Sequence, residues 1–119
     1  FVVLTNTALG TGIDVDTAAP LLSGAVGGYS GPGLKPVALR CVYEVARALP
    51  TLPIVGCGGV TTGRDVIEYL MAGASVVELG TVHLAEPRAG KRIRDELLAG
   101  LRRIGHTSVS DLVGSAVSR

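Results

Sequence analysis

Small polar residues and glycines follow three apolar, β-branched segments of this chain. Phe1–Leu4 runs into Thr5-Asn6-Thr7, Pro53–Val55 runs into Gly56-Cys57-Gly58-Gly59, and Ser75–Leu79 runs into Gly80-Thr81. Parallel strands of a (β/α) barrel end in this way, with the working residues at their carboxyl ends and a phosphate commonly held by the loops after the last two strands. Functional residues are therefore expected at these three strand ends.

The glycine pair Gly58-Gly59 and the pair Gly80-Thr81 have the chemistry of an anion site. Glycine-rich backbone N–H groups, one hydroxyl and the start of a helix can hold a phosphate without a basic side chain, and no lysine lies near either pair in the sequence. The alternative is that these glycines only permit tight turns between strand and helix. Their recurrence about twenty residues apart, on consecutive repeats, favours the phosphate site.

Asn6 and Thr7 are candidates for a different kind of site. An amide and a hydroxyl side by side at a strand end can both donate and accept hydrogen bonds, which suits a small polar heterocycle or a carboxylate. A turn-favouring pair that caps the loop is the open alternative.

Glycine, proline and apolar periodicity predict the elements that position these residues. Residues 8–33 are rich in glycine and too broken for a long helix, so they are expected to form a long loop on the active face. Three helices are predicted. The first begins near Pro36 and runs for about 13 residues. The second begins at Thr61 or Thr62, with Asp65 completing a capping box, and ends at Gly73, and the third runs from about Ala89 to Ile104. One more helical turn is expected at 109–113.

The composition argues against several classes of protein. With 11 basic and 10 acidic residues the net charge is +1, and the basic residues cluster only in the last predicted helix among acidic ones, so no nucleic-acid partner is expected. No apolar run approaches the roughly 18 residues that span a membrane, and no signal peptide is visible, so we expect no membrane partner and a cytoplasmic location. Cys41 and Cys57 form no C-x-x-C pair, so neither a disulfide nor a metal site is expected.

The length of the chain limits what it can build. A complete (β/α) barrel takes about 250 residues, whereas this chain has 119 residues with three clear strands and opens on Phe1 inside a predicted strand. We therefore expect an α/β fold that is the carboxyl-terminal part, about strands 6–8, of a TIM (β/α)8 barrel. Residues 1–119 would form one partial barrel domain whose amino-terminal half is absent.

Five segments in a fixed order carry a resemblance to a known family. They are Thr5-Asn6-Thr7, Gly27–Pro32 with Leu34–Arg40, Pro53–Val60, Ala72–Ser75 and Gly80-Thr81. In this order they resemble the carboxyl-terminal part of a class 1 dihydroorotate dehydrogenase, most closely the NAD-linked type 1B catalytic subunit. The family consists of flavoproteins that oxidise dihydroorotate to orotate in pyrimidine (UMP) biosynthesis on an FMN-containing (β/α) barrel.

The resemblance implies roles for the residues at the strand ends. The substrate, dihydroorotate or orotate, would be bound by Asn6 and Thr7. FMN would be contacted by Thr5, Gly31, Gly58, Gly59, Gly80 and Thr81. The last four of these would hold the FMN phosphate, in agreement with the glycine chemistry. Two positions depart from the family pattern, because Tyr29 stands where a leucine is expected and Glu78 is an unexpected charge in the last strand.

The resemblance places the catalytic base, a cysteine on an earlier loop, outside this chain. We therefore expect no catalytic residue in residues 1–119 and no activity from them alone. Cys41 and Cys57 are interpreted as packing residues, and His83 and His106 receive no role.

The same resemblance implies the partners of the chain. A type 1B enzyme would have an electron-transfer subunit that carries an iron–sulfur cluster and FAD, and a homo- or hetero-oligomer is expected. Two alternatives remain open from the sequence. One is another FMN barrel oxidoreductase, such as a dihydropyrimidine dehydrogenase domain. The other is a non-redox (β/α) barrel enzyme that binds a phosphorylated metabolite.

Overall fold

Helices and short parallel strands alternate over residues 35–85, whereas four short antiparallel strands lie within residues 8–29. The computed structural model describes residues 1–117, and its helices and strands in chain order are β1 (Val2–Leu4), β2 (Ala8–Gly10), β3 (Ile13–Asp14), β4 (Ala19–Pro20), β5 (Gly27–Tyr29), α1 (Lys35–Ala48), β6 (Ile54–Cys57), α2 (Gly63–Met71), β7 (Val76–Glu78), α3 (Val82–Ala85) and α4 (Ala89–Arg103). Two 3-10 turns, Pro32–Leu34 and Val109–Leu112, complete the described part. The three strands and three long helices expected from the sequence are all present.

Strands β1, β6 and β7 form one parallel sheet in the order β1-β6-β7. Val3 pairs with Val55, and Val55 pairs with Val76, so these valines share one face of the sheet. That face is open, since Val3 is 46% exposed and Val76 is 55% exposed. Side chains alternate between the two faces of a strand, and Ile54 lies buried on the opposite face. The helices therefore cover one side of the sheet only.

The core lies between this covered face and the helices. Its buried residues come from the apolar stripes of α1, α2 and α4, with Val42, Leu70 and Ile93 as examples. Tyr69 is fully buried, and Gly56 makes room for its ring, because a Cβ built at Gly56 would lie 2.5 Å from the Tyr69 Cδ1 atom. A side chain at residue 56 would push the α2 helix away from the strand.

The start of α2 is a capping box, as the sequence predicts. The Thr62 side chain accepts a hydrogen bond from the Asp65 N–H at 3.2 Å, and the Asp65 carboxylate accepts one from the Thr62 N–H at 2.8 Å. Thr62, rather than Thr61, is therefore the N-cap residue. Gly73, with a φ of 113°, ends the turn that follows α2.

The prediction of a plain loop over residues 8–33 needs correction. This region contains two short antiparallel pairs, β2 with β5 and β3 with β4. A hydrogen bond from the Leu21 N–H to the Gly12 carbonyl, at 2.9 Å, joins the outer part of the excursion. Strands of two or three residues are too short to show an alternating pattern, which is why the sequence did not reveal them.

Among residues 1–117, no helix is long and apolar enough to cross a lipid bilayer.

Candidate active site

The three parallel strand ends meet at one cavity of about 450 Å³. All eight residues proposed from the sequence line it, namely Thr5, Asn6, Thr7, Gly31, Gly58, Gly59, Gly80 and Thr81. Cavities of this size typically hold small ligands. The structure therefore brings together residues that are up to 76 positions apart in the sequence, counted from Thr5 to Thr81.

Nine further residues within 1–117, none of them expected from the sequence to belong to the site, line the same cavity. They are Ser30, Pro32, Leu34, Cys57, Val60, Thr61, Glu78, Val82 and Ala85. Cys57 is half-buried at the cavity and is not one of the buried core residues, so its interpretation as a packing residue is corrected. The strand period could have identified Cys57 and Glu78. Each lies two residues after a valine, Val55 or Val76, and therefore faces the same side of the sheet as that valine.

The Gly58-Gly59 turn needs glycine for conformational and steric reasons. Gly58 has a φ of 132° and Gly59 a φ of 69°, which side chains disfavour. A Cβ built at Gly59 would lie 2.6 Å from the Lys35 backbone nitrogen and 2.7 Å from the Gly31 carbonyl oxygen. The turn after β6 thus packs directly on the turn that contains Gly31. For Gly58 and Gly59, the interpretation that glycine is needed to form a tight turn is therefore correct.

Gly80 is different, because neither reason applies to it. Its φ lies outside the left-handed region, and a Cβ built on it would meet no atom within 4 Å. Gly80 is exposed and lines the cavity. The absence of a side chain here leaves the backbone open to a ligand, which turn geometry alone does not require.

The adjoining Thr81 links two walls of the cavity. Its hydroxyl donates a hydrogen bond to the Ser30 Oγ atom at 2.9 Å, joining the end of β7 to the turn that follows β5. Thr81 also precedes the short helix α3, which the sequence analysis did not predict. A four-residue helix is too short to show apolar periodicity.

The cavity is almost free of charge. Among residues 1–117 its lining includes no lysine or arginine, and Glu78 is its one charged side chain. Burial, followed by the neighbouring Glu78 carboxylate, raises the pKa of the Cys57 thiol. An anion bound here would therefore depend on backbone N–H groups and hydroxyls rather than on a cation.

A buried carboxylate ties two walls of the cavity together. Asp65 is 7% exposed, and its Oδ1 atom lies 2.6 Å from the Lys35 Nζ atom. Its Oδ2 atom accepts hydrogen bonds from the N–H groups of Thr61 and Thr62, at 2.9 and 2.8 Å, and from the Thr61 hydroxyl. Lys35 also contacts Glu68 at 2.9 Å. The loop after β6 is thus attached to the first residue of α1.

Burial alone would raise the pKa of Asp65. The hydrogen bonds from Lys35, Thr61 and Thr62 outweigh it and lower the pKa from 3.8 to about 2. The carboxylate therefore stays ionised at all but strongly acidic pH.

Helix α4 supports the same loop from the other side. The Arg92 guanidinium contacts Glu86 at 2.6 Å and Glu96 at 2.7 Å, and it donates a hydrogen bond to the Thr61 carbonyl at 3.2 Å. Glu96 in turn accepts a hydrogen bond from the Gly63 N–H at 2.8 Å. The position of Thr61 at the cavity is therefore determined by contacts from both α2 and α4.

The two histidines lie outside the cavity lining. His106 Nδ1 is 3.9 Å from the Asp111 carboxylate, and His83 belongs to α3. Within residues 1–117, no group of three or more histidine, cysteine, aspartate or glutamate side chains is arranged to hold a metal ion.

Tyr69 supports the Gly58-Gly59 turn, and this contact is testable. The buried Tyr69 hydroxyl donates a hydrogen bond to the Gly58 carbonyl at 2.7 Å, so Tyr69→Phe leaves that carbonyl without its protein donor. We expect the variant to lose about 1–2 kcal/mol of unfolding free energy in the full-length protein, measured by urea denaturation. Tyr43→Phe on α1 is the matched control, and an equal effect of the two substitutions would contradict a specific role for the hydroxyl.

Comparison with known proteins gives a consistent result. A family model described as dihydroorotate dehydrogenase matches residues 1–101. The catalytic subunit of dihydroorotate dehydrogenase B (NAD(+)) from Thermococcus kodakarensis is 46% identical over 94% of this chain and 37% of its own length. Dihydroorotate dehydrogenase A (fumarate) from Lactobacillus helveticus is 45% identical over 92% of this chain and 35% of its own length. The NAD-linked and fumarate-linked types thus match almost equally well.

A solved structure shows the same likeness in three dimensions. The crystal structure of the Eimeria tenella enzyme DHODH in complex with ferulenol superposes with a TM-score of 0.80 at 30% identity, covering 95% of this chain and 30% of that chain. The chain spans about a third of the length of the curated relatives it matches. Because the family model covers most of its residues, the chain belongs to the dihydroorotate dehydrogenase family.

Proposed function

We propose that the full-length protein oxidises dihydroorotate to orotate in pyrimidine biosynthesis and uses FMN to do so. The observation that carries this proposal is that all eight residues selected as cofactor or substrate contacts line one cavity. Membership in the dihydroorotate dehydrogenase family supports it. The proposal is preferred over another FMN barrel oxidoreductase or a non-redox barrel enzyme, since the family model and the relatives carry the name of this enzyme.

The residues present fit the phosphate of FMN. A Cβ built at Gly80 would meet no atom within 4 Å, so that side of its backbone is open to a ligand, and Thr81 and Ser30 place two hydroxyls 2.9 Å apart beside it. Gly58 and Gly59 bring a second stretch of glycine backbone to the same cavity. We propose that these two stretches hold the phosphate through N–H groups. Thr5 and Gly31 would lie beside the flavin.

Asn6 and Thr7 fit the substrate. The Asn6 Oδ1 atom accepts a hydrogen bond from the Thr7 N–H at 2.8 Å, so the amide oxygen is used locally, as a turn requires. Among residues 1–117, the Asn6 side-chain nitrogen has no such partner, and its two donors suit the carboxylate or a ring carbonyl of orotate. The turn and the binding role are therefore compatible.

These positions indicate which chemical step each group would perform. FMN, when bound, would supply the acceptor for the hydride that leaves dihydroorotate as its CH–CH bond becomes a double bond. The residues of this chain would bind and orient the two molecules. The base that removes the accompanying proton is proposed to lie outside residues 1–119.

We further propose that residues 1–119 form the part of a (β/α)8 barrel that contains about strands 6–8. The open sheet face at Val3 and Val76 supports this, because a barrel would bury that face. An iron–sulfur and FAD subunit is the proposed partner if the enzyme is of the NAD-linked type, and the protein is proposed to act as an oligomer in the cytoplasm. The name of the Thermococcus relative, a catalytic subunit, supports the subunit partner.

The proposed activity has a direct spectroscopic test. Full-length protein purified without added cofactor should be yellow and release FMN on denaturation. Adding dihydroorotate without an electron acceptor should bleach the flavin absorbance. Colourless protein that cannot be loaded with FMN, or loaded protein that dihydroorotate does not reduce, would contradict the proposal.

The substrate role of Asn6 is tested separately. Asn6→Ala should weaken orotate binding by about 1–3 kcal/mol, because a buried polar group of the ligand loses its partner. The FMN content should stay unchanged, which distinguishes a substrate contact from a cofactor contact. Orotate titrations of the flavin absorbance measure both quantities, with Thr51→Ala, an exposed turn residue, as the control. Equal orotate affinity in both variants would leave Asn6 with a turn role only.

A further inference from the structure

Glu78 faces the same side of the sheet as the open valines. It is the register partner of Cys57, and both residues line the cavity. Two positions earlier, Val55 and Val76 are partners on the same face, because alternate residues of a strand share a face. Glu78 thus continues, at the carboxyl end of β7, a row that is otherwise apolar.

The Glu78 carboxylate has no cation to neutralise it within residues 1–117. No lysine, arginine or histidine there forms an ion pair with it, whereas Glu44, Asp65 and Glu86 each pair with a cation. The neighbouring Cys57 thiol is a weak hydrogen-bond donor. A carboxylate placed in a largely apolar cavity needs stronger donors when a ligand displaces water from it.

The order of the strands determines which part of a bound ligand lies near Glu78. The proposed phosphate site lies at the ends of β6 and β7, and the proposed substrate site lies at the end of β1. Because β6 separates β1 from β7, a ligand that reaches from Gly80 to Asn6 must cross about two strand spacings, or roughly 10 Å. Cys57, on the intervening strand β6, and Glu78, on β7 two residues before Gly80, both line the cavity that such a ligand would occupy.

We propose that Glu78 is a specificity-determining residue whose carboxylate accepts hydrogen bonds from the hydroxyl groups of the polyol chain that links the phosphate of a bound flavin to its ring. This inference rests on the proposed function and names the part of the ligand that Glu78 contacts. A carboxylate accepts hydrogen bonds from hydroxyls but repels a phosphate. Glu78 therefore selects for a hydroxylated linker and contributes nothing to holding the phosphate.

The test compares two flavins in the full-length protein after its flavin has been removed. FMN and riboflavin share the polyol chain and differ in the phosphate. Glu78→Leu should weaken the binding of both by about tenfold or more, and by the same factor, as measured by quenching of flavin fluorescence. Glu78→Gln, whose side-chain oxygen still accepts hydrogen bonds, should recover most of the affinity for both. Glu44→Leu on the exposed side of α1 is the control and should change neither.

Three results would overturn the assignment. Unchanged riboflavin affinity in Glu78→Leu would show that the carboxylate does not contact the polyol chain. Tighter binding of FMN but not of riboflavin in Glu78→Gln would place the carboxylate against the phosphate. Unchanged affinities with a lower unfolding midpoint in Glu78→Leu would show that its partner is a cation outside residues 1–117. A parent protein that binds neither flavin would instead refute the proposed function, and this assignment with it.

Discussion

Gly80→Asp should remove FMN from the full-length protein, whereas Gly80→Asn should retain it. The two side chains have nearly the same size and differ in charge. Since a Cβ at residue 80 meets no atom within 4 Å, both should be accommodated by the fold. The aspartate would place a negative charge beside the proposed phosphate, in a cavity whose lining within residues 1–117 holds no cation. At a separation of about 5 Å this repulsion is about 3 kcal/mol, or on the order of a hundredfold in affinity.

Flavin content per protein after purification, and FMN titration of the flavin-free protein, measure this effect. Riboflavin provides an internal control, because it has no phosphate and should bind both variants with similar affinity. If Gly80→Asp and Gly80→Asn hold FMN equally well, the phosphate does not lie at the end of β7.

Gly59 is a poorer position for this test, although it belongs to the same proposed site. Any side chain there would collide with the backbone of Lys35 and Gly31. A Gly59 variant that lost FMN could therefore have lost the shape of the turn rather than an anion contact. A substitution at Gly80 separates the two explanations, because the new side chain extends into the cavity without colliding with the backbone.

Local patterns explain how much of the fold could be predicted from the sequence. The capping box at Thr62 and Asp65 needs two residues three positions apart, and Gly73 ends its helix through its own backbone conformation. The three strand ends were recognisable because each places small or polar residues after a β-branched run. Their convergence on one cavity follows from parallel strands having their carboxyl ends at one edge.

Contacts between distant segments could not be predicted in the same way. The Lys35–Asp65 ion pair and the Tyr69–Gly58 hydrogen bond depend on how α1 and α2 pack on the sheet. The antiparallel pairs within residues 8–29 are too short to leave a periodic signal. The sequence alone does not show that Cys57 is the register partner of Glu78, and this pairing places both residues at the cavity.

Asp65→Ala should cost about 3 kcal/mol of unfolding free energy, far more than the loss of an exposed acid. Removing this buried carboxylate leaves the Thr61 and Thr62 N–H groups without their acceptor and Lys35 without its nearer partner. Glu44→Ala is the control, because the Arg40–Glu44 pair has a similar distance, 2.9 Å, but is exposed and should contribute about 0.5 kcal/mol or less. Urea denaturation of the two full-length variants measures the difference. Equal losses of unfolding free energy would show that burial does not strengthen the contacts of Asp65.

The same carboxylate predicts a dependence on acid pH. Its pKa falls from 3.8 to about 2 on folding, so the ionised form is favoured by the folded state and stabilises it above pH 3.8 by about 2 kcal/mol. This contribution should disappear as the pH falls from about 4 to 2, because the folded protein then binds the proton that the unfolded chain already holds. Asp65→Asn lacks the titrating group, so the stability gap between it and the parent should narrow over that interval. A gap that stays constant between pH 5 and pH 2 would mean that the Lys35 and threonine contacts do not favour the charged form, and that the cavity walls are joined by neutral hydrogen bonds alone.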